Sequence, residues 1–142
     1  MILNTTHSNK SNDQLINNLV GQSYTFLESF KMKGIGSKRM IIDDASPNFN
    51  HYLNATEDVT YANLELRPNG LLVRINKGLN NYTWVVPFYH LVIYKTNGSS
   101  IHAQGKFIHF KNNITFKENK SFFDKLLSLK VAFEKQYEFI GI

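Results

Sequence analysis

"VTYANLELRPNGLLVRINKG", residues 59–78, consists of two runs of alternating apolar residues joined by Pro-Asn-Gly. Leu64 and Leu66 lead into the junction, and Leu71, Val73 and Ile75 lead out of it. That spacing has the period of two of a strand with one buried face, not the 3.6 of a helix. Pro68 presets a corner, and Asn69-Gly70 tolerates positive φ, so the stretch predicts a β-hairpin. An antiparallel pair of this kind decides the class of fold. The remaining segments must extend this sheet or cover it.

Downstream, "NKGLNN" (76–81) is a loop and "YTWVVP" (82–87) a strand that ends at Pro87, which cannot donate to a ladder. "FYHLVIYK" (88–95), the turn "TNGS" and "SIHAQ" (100–104) read as another hairpin, with "KFIHF" (106–110) following Gly105. Upstream, "RMII" (39–42) is strand-like, and 43–58 is an irregular connection punctuated by Ser-Pro. The expected strands lie near 39–43, 60–67, 71–77, 82–87, 89–96, 100–104 and 106–111. Tyr82, Trp84, Phe88, Tyr94 and Phe110 are expected in the core.

Helices flank this sheet. Residues 1–10 are polar and expected to form a disordered tail, leaving 11–142 as a single domain. Leu15, Ile16, Leu19, Val20, Phe26, Leu27 and Phe30 recur at helical spacing, which predicts a helix over 12–33 with Gly34 as its stop. Its apolar stripe needs a partner, either the sheet or a second copy of the chain. "KGIGSKR" (33–39) has the glycines of a phosphate loop but follows a helix and precedes a strand, the reverse of the order that chemistry needs. Phe122, Phe123, Leu126, Leu127, Leu129, Phe133 and Tyr137 form a broad apolar face on a helix over 119–139, as for a helix packed on the sheet of 38–117. Lys120 with Asp124, and Lys130 with Glu134, are spaced as i,i+4 pairs.

The 142 residues carry a formal net charge of +5, 42% hydrophobic residues and no cysteine. Disulfides, thiolate nucleophiles and cysteine zinc sites are thereby excluded. No apolar run approaches the roughly 20 residues of a membrane helix, and "MILNTTHSNKSNDQ" lacks the form of a signal peptide. A cytoplasmic location is expected. No Asp or Glu lies between Glu65 and Glu118, whereas Arg67, Arg74, Lys77, Lys95, Lys106, Lys111 and Lys117 do. Such a one-signed stretch attracts phosphate, nucleic acid or an anionic lipid surface, although lysines also serve simply to keep sheet edges soluble.

His90, His102 and His109 are the candidate metal ligands of this stretch. With Asn97-Gly98 as a two-residue turn, Ile93 faces His102, and alternation places His90 and His109 on the opposite face from it, barring a bulge at Gly105. No metal site and no cofactor is expected. Acid–base catalysis would have to combine Asp43, Asp44, Glu57 or Asp58 with a histidine, and nothing in the sequence places these together.

The order of these segments resembles the pleckstrin-homology-like barrel, particularly its bacterial versions. A hairpin with a short turn is followed by "WVVPFYHL", then "GKFIHF", then a helix opening with paired phenylalanines. The resemblance covers roughly 38–140 and departs from the simplest pattern at the N-terminal helix and the 44–58 connection. It implies an α+β fold, a mostly antiparallel β-barrel or strongly bent sheet with a C-terminal capping helix. It also implies a binding module whose early-strand loops engage anionic head groups, peptides or proteins. By that analogy the ligand-binding positions are Lys38, Arg67, Arg74 and Lys77. Three functions are therefore carried forward. They are a non-catalytic interaction module, self-associating through its N-terminal helix; a binder of an anionic ligand, membrane surface or nucleic acid through the 66–117 region; and a small enzyme using Asp or Glu with His.

Overall fold

The hairpin forms in the register the alternation requires. Strand β3 (Thr60–Arg67) pairs antiparallel with β4 (Gly70–Lys77), setting Leu66 opposite Leu71, Leu64 opposite Val73 and Ala62 opposite Ile75. Its corner differs from the expected one. Pro68 and Asn69 make the turn, and neither has positive φ. Gly70 is needed for space: a Cβ there would lie 2.4 Å from Val20 Cγ1 and 2.6 Å from the Val86 carbonyl oxygen.

The computed structural model describes residues 1–53 and 59–138. The sheet also contains β1 (Ile2–Asn4), β2 (Met40–Ala45), β5 (Asn80–Pro87), β6 (Val92–Tyr94), β7 (Gly98–Ala103) and β8 (Lys106–Lys111). The helices are α1 (Lys10–Val20), α2 (Phe26–Lys31), α3 (Ile114–Lys117) and α4 (Lys120–Glu138), and a 3-10 turn spans Pro47–Tyr52. Among the described residues the strands form one antiparallel sheet in the order β1-β5-β4-β3-β2-β8-β7-β6. The order has two ends and does not close into a barrel, so of the two architectures expected, the strongly bent sheet is the one that forms. The bend has a local cause. Residues 40–42 of β2 pair with β3, residues 42–45 pair with β8, and the register shifts between Ile42 and Asp44. A bulge of this kind re-aims a strand and increases its twist.

The inner face of the bent sheet holds the main core, with Met40, Leu64, Leu66, Leu71, Val73, Trp84, Val86, Ile101 and Phe110 almost fully buried. Each large apolar side chain removed from water contributes about 1.5–3 kcal/mol. Phe49 of the 3-10 turn meets Trp84 edge-on at 4.9 Å, and Phe122, Phe123 and Leu126 of α4 join the same cluster. The opposite face of β4 and β5 carries a smaller cluster, Leu72 and Val85, under Ile16 and Val20 of α1.

Several expectations change. The polar N-terminus is not a free tail: Ile2 pairs with Trp84, and Asn4 with Tyr82, on the outer edge of β5. The helix expected over 12–33 is two helices broken at Gly21, whose φ is +86° and which packs against Pro68. Of the two partners weighed for its apolar stripe, the sheet takes Ile16 and Val20 and leaves Leu15 and Leu19 part-exposed. Strand 89–96 shrinks to three residues because Phe88–His90 turn, and Tyr94 is exposed at the sheet edge instead of buried. No described helix is long and apolar enough to cross a membrane.

Candidate functional site

The four basic residues singled out by analogy do not form one site. Arg67 is buried: its Nε donates to Glu65 at 2.9 Å, and its Nη1 donates to Asn17 Oδ1 and to the Gly21 carbonyl, each at 3.0 Å. Arg74 donates to the other oxygen of Glu65 at 3.4 Å. These two arginines share one carboxylate beside α1. Lys77 lies on the other face of the sheet, its ammonium 2.6 Å from the His51 carbonyl oxygen. Lys38 is paired with Glu118 at 2.9 Å. Each of the four has an internal partner.

Three other lysines line a cleft of about 350 Å3. One wall is the β6–β7 connection, with Lys95, Gly98 and Ser99; the other is the α3–α4 junction, with Phe116, Lys117, Lys120, Phe123 and Asp124. Local sequence shapes both walls. Asn97 and Gly98 adopt φ of +46° and +108°. A Cβ at Gly98 would meet the Phe110 carbonyl oxygen at 2.4 Å, so only glycine lets the connection lie this close to β8. On the second wall, the Asn113 side chain caps α3 by accepting from the Phe116 amide at 3.0 Å. Asn119 is buried, accepting from the Lys38 amide at 2.8 Å and donating to the Lys38 and Thr115 carbonyls at 3.2 and 3.1 Å. Its side chain fastens the α3–α4 junction to the segment before β2.

The floor of the cleft is aromatic, with Phe116 and Phe123 ring centroids 5.4 Å apart. Among the described residues Lys95, Lys117 and Lys120 make no ion pair. The i,i+4 pair expected between Lys120 and Asp124 is not made, whereas Lys130 does pair with Glu134. Three lysines and one carboxylate beside an apolar floor give the cleft a net positive charge.

The histidines take up different arrangements from those expected. Val92, not Ile93, lies opposite His102. The two-residue turn at Gln104-Gly105 sets His102 opposite Phe107 and Ser100 opposite His109, so His102 and His109 share a face. His90, in the turn after β5, lines the same hollow as His102. His102 stacks on Phe107 at 5.2 Å and meets Ser100 Oγ at 2.9 Å, and burial holds its pKa below the usual histidine value. Among the described residues no three His, Asp or Glu side chains gather as a metal site.

Asp43 and His109, which the sequence did not bring together, meet at 2.5 Å across the β2–β8 pairing. The other ring nitrogen of His109 lies 3.1 Å from the Thr96 carbonyl oxygen. With both nitrogens engaged, the imidazole has no free position from which to take a substrate proton. The Asp44 carboxylate accepts from the Ala45 amide. Glu57 and Asp58 lie outside the described residues.

Lys95 and Lys117 were legible as members of the acid-free stretch, but no spacing in the sequence joins a hairpin turn to the start of a helix twenty residues later. Compared with protein families, with curated proteins and with solved structures, the chain has no match in any of the three.

Proposed function

We propose that this chain is a non-catalytic binding module, and that the cleft between the β6–β7 connection and the α3–α4 junction receives a ligand with an anionic group on an apolar body. The observation that carries this reading is that Lys95, Lys117 and Lys120 line one cleft with Phe116 and Phe123, with no ion pair to neutralise them among the described residues. Ammonium groups at the mouth give attraction and orientation, while the aromatic floor contributes the burial. The pleckstrin-homology-like resemblance belongs to the same proposal. Its support is the order of elements: two antiparallel meanders joined through the β2–β8 pairing, followed by a C-terminal helix against the core. A cytoplasmic setting goes with it, supported by the cysteine-free composition.

Decanoate and decanol provide the test, since they differ in charge and share the apolar chain. Decanoate should bind more tightly, the preference should shrink with added salt, and Lys117→Glu with Lys120→Glu should weaken decanoate by about tenfold or more while leaving decanol little changed. Equal binding of the two ligands, or none by either, would remove the reading.

A further inference from the structure

Among the described residues, α2 carries three large and strongly exposed apolar side chains on one element. Phe26, Leu27 and Phe30 are 84%, 69% and 76% exposed. Other exposed apolar residues, such as Leu79 and Tyr89 in turns and Ile114 at the start of α3, stand apart from one another and need no explanation. Three large side chains on one short helix form a patch, and patches of this kind mark contact surfaces.

The fold presents this helix without using its apolar face. Tyr24 before it, and Met32 and Ile35 after it, pack against the main core, so the segment is anchored at both ends. Its N-terminus is closed by a capping box: the Thr25 hydroxyl accepts from the Glu28 amide at 3.2 Å, and the Glu28 carboxylate accepts from the Thr25 amide at 2.9 Å. Beyond its C-terminus, Lys125 of α4 donates to the carbonyls of Met32, Lys33 and Gly34 at 3.3, 3.2 and 2.9 Å. None of the six helical residues is buried. The backbone is satisfied and held, and the phenylalanines project from it.

Charge selects the occupant. Between Gln22 and Arg39 the sole carboxylate in the sequence is Glu28, which the capping box occupies. Lys38 is paired with Glu118, and Arg39 lies over the Tyr61 ring at 4.1 Å. Lys31 and Lys33, beside Phe30, make no ion pair among the described residues. A two-fold contact with a second copy would set these lysines near their own counterparts, whereas an anionic surface neutralises them. We propose that α2 docks the protein on an anionic lipid bilayer, with Phe26, Leu27 and Phe30 entering the interface and Lys31 and Lys33 contacting acidic head groups.

Co-sedimentation of the full chain with vesicles tests this, using phosphatidylcholine alone and phosphatidylcholine mixed with phosphatidylserine. The protein should pellet with the mixed vesicles, and much less with the neutral ones. Phe26→Ser with Phe30→Ser should lower partitioning by at least about tenfold. Lys31→Gln with Lys33→Gln should lower it about fivefold per charge. Both variants change exposed side chains, and unchanged circular dichroism will show that the fold is retained. Failure to pellet with the mixed vesicles would overturn the proposal, as would equal pelleting with neutral vesicles or partitioning unaffected by the phenylalanine variant. Sedimentation that shows a dimer lost in that variant, without vesicle binding, would assign the patch to a second copy instead.

Discussion

His109 is held between two acceptors, the Asp43 carboxylate and the Thr96 carbonyl. A neutral imidazole has one N–H and cannot donate to both; the imidazolium can. Burial opposes its charge, but the Asp43 hydrogen bond, the Thr96 bond and the Asp43 charge together outweigh burial and raise its pKa above 6.5. The pair joins the bulge of β2 to the connection that forms one wall of the cleft. Because the folded pKa is raised, its stabilisation is complete below the ordinary histidine pKa and is lost as pH rises through the folded value. His102 has the opposite sign: its pKa is lowered by burial, so its contribution is present above the ordinary value and lost as pH falls through the folded one. His109→Gln should therefore flatten the loss of stability on the alkaline side, by about 1 kcal/mol or less for so exposed a pair. Urea midpoints measured from about pH 5 to pH 9 will show it. A variant whose profile follows the parent across that range would exclude the coupling. None of this was legible in the sequence, because Asp43 and His109 meet only where the bulge aims β2 at β8.

At the scale of elements, Arg67 joins the end of α1 to the sheet. Its guanidinium serves Glu65 on its own strand and Asn17 and the Gly21 carbonyl on α1. Removing it leaves the largely buried Glu65 carboxylate with only the longer Arg74 contact and leaves a helix-end carbonyl without its donor, and the rest of the structure cannot replace three directed donors. Arg67→Ala should cost about 2–4 kcal/mol and lower the urea midpoint. Arg67→Lys should recover only part of this, since an ammonium cannot copy the planar fork. Decanoate binding per folded molecule should be unchanged in both. A variant that keeps its stability but loses ligand would return Arg67 to the binding role suggested by analogy. The sequence presented Arg67 as one cation in a basic stretch. Its partners on the α1 side, Asn17 and Gly21, lie some fifty residues away, and nothing in local spacing reveals them. The period-two signal of 59–78, in contrast, was sufficient to set the β3–β4 register, because a slip by one residue would turn Leu64, Leu66 and Leu71 away from the main core. In the β6–β7 hairpin the alternation is weaker, since Val92 and Tyr94 are edge residues facing outward, and there the expected register was off by one residue.

At the scale of the whole molecule, the open sheet has two edges, and both are short. β1 and β6 contain three residues each, a length that offers little backbone for another chain to pair with. β1 also covers the longer β5: the Met1 carbonyl accepts from the Val85 amide at 2.9 Å, and the Thr5 amide donates to the Asn81 carbonyl at 2.8 Å. Deleting residues 1–6 should leave the folded core but expose the β5 edge, giving concentration-dependent association in light scattering. A truncated chain that stays at its original mass at all concentrations would show that β5 needs no cover. The sequence suggested a free tail here because Asn4, Thr5 and Thr6 are polar, yet polar residues are what an edge strand facing solvent accommodates.

The sequence by itself determined the antiparallel sheet, the central hairpin with its register, and a C-terminal helix that packs on the core. These follow from hydrophobic periodicity, which acts through neighbours two or four residues apart. Tertiary structure alone decided that the sheet stays open and that the N-terminal residues close one edge; the break of the long first helix falls at Gly21, a poor helix former visible in the sequence, where Pro68 packs against it. Tertiary structure also decided which cations are paired internally and which line the cleft. Those outcomes depend on contacts between residues distant in the chain, where the space at Gly70 and the bulge at Asp43 set what can approach what.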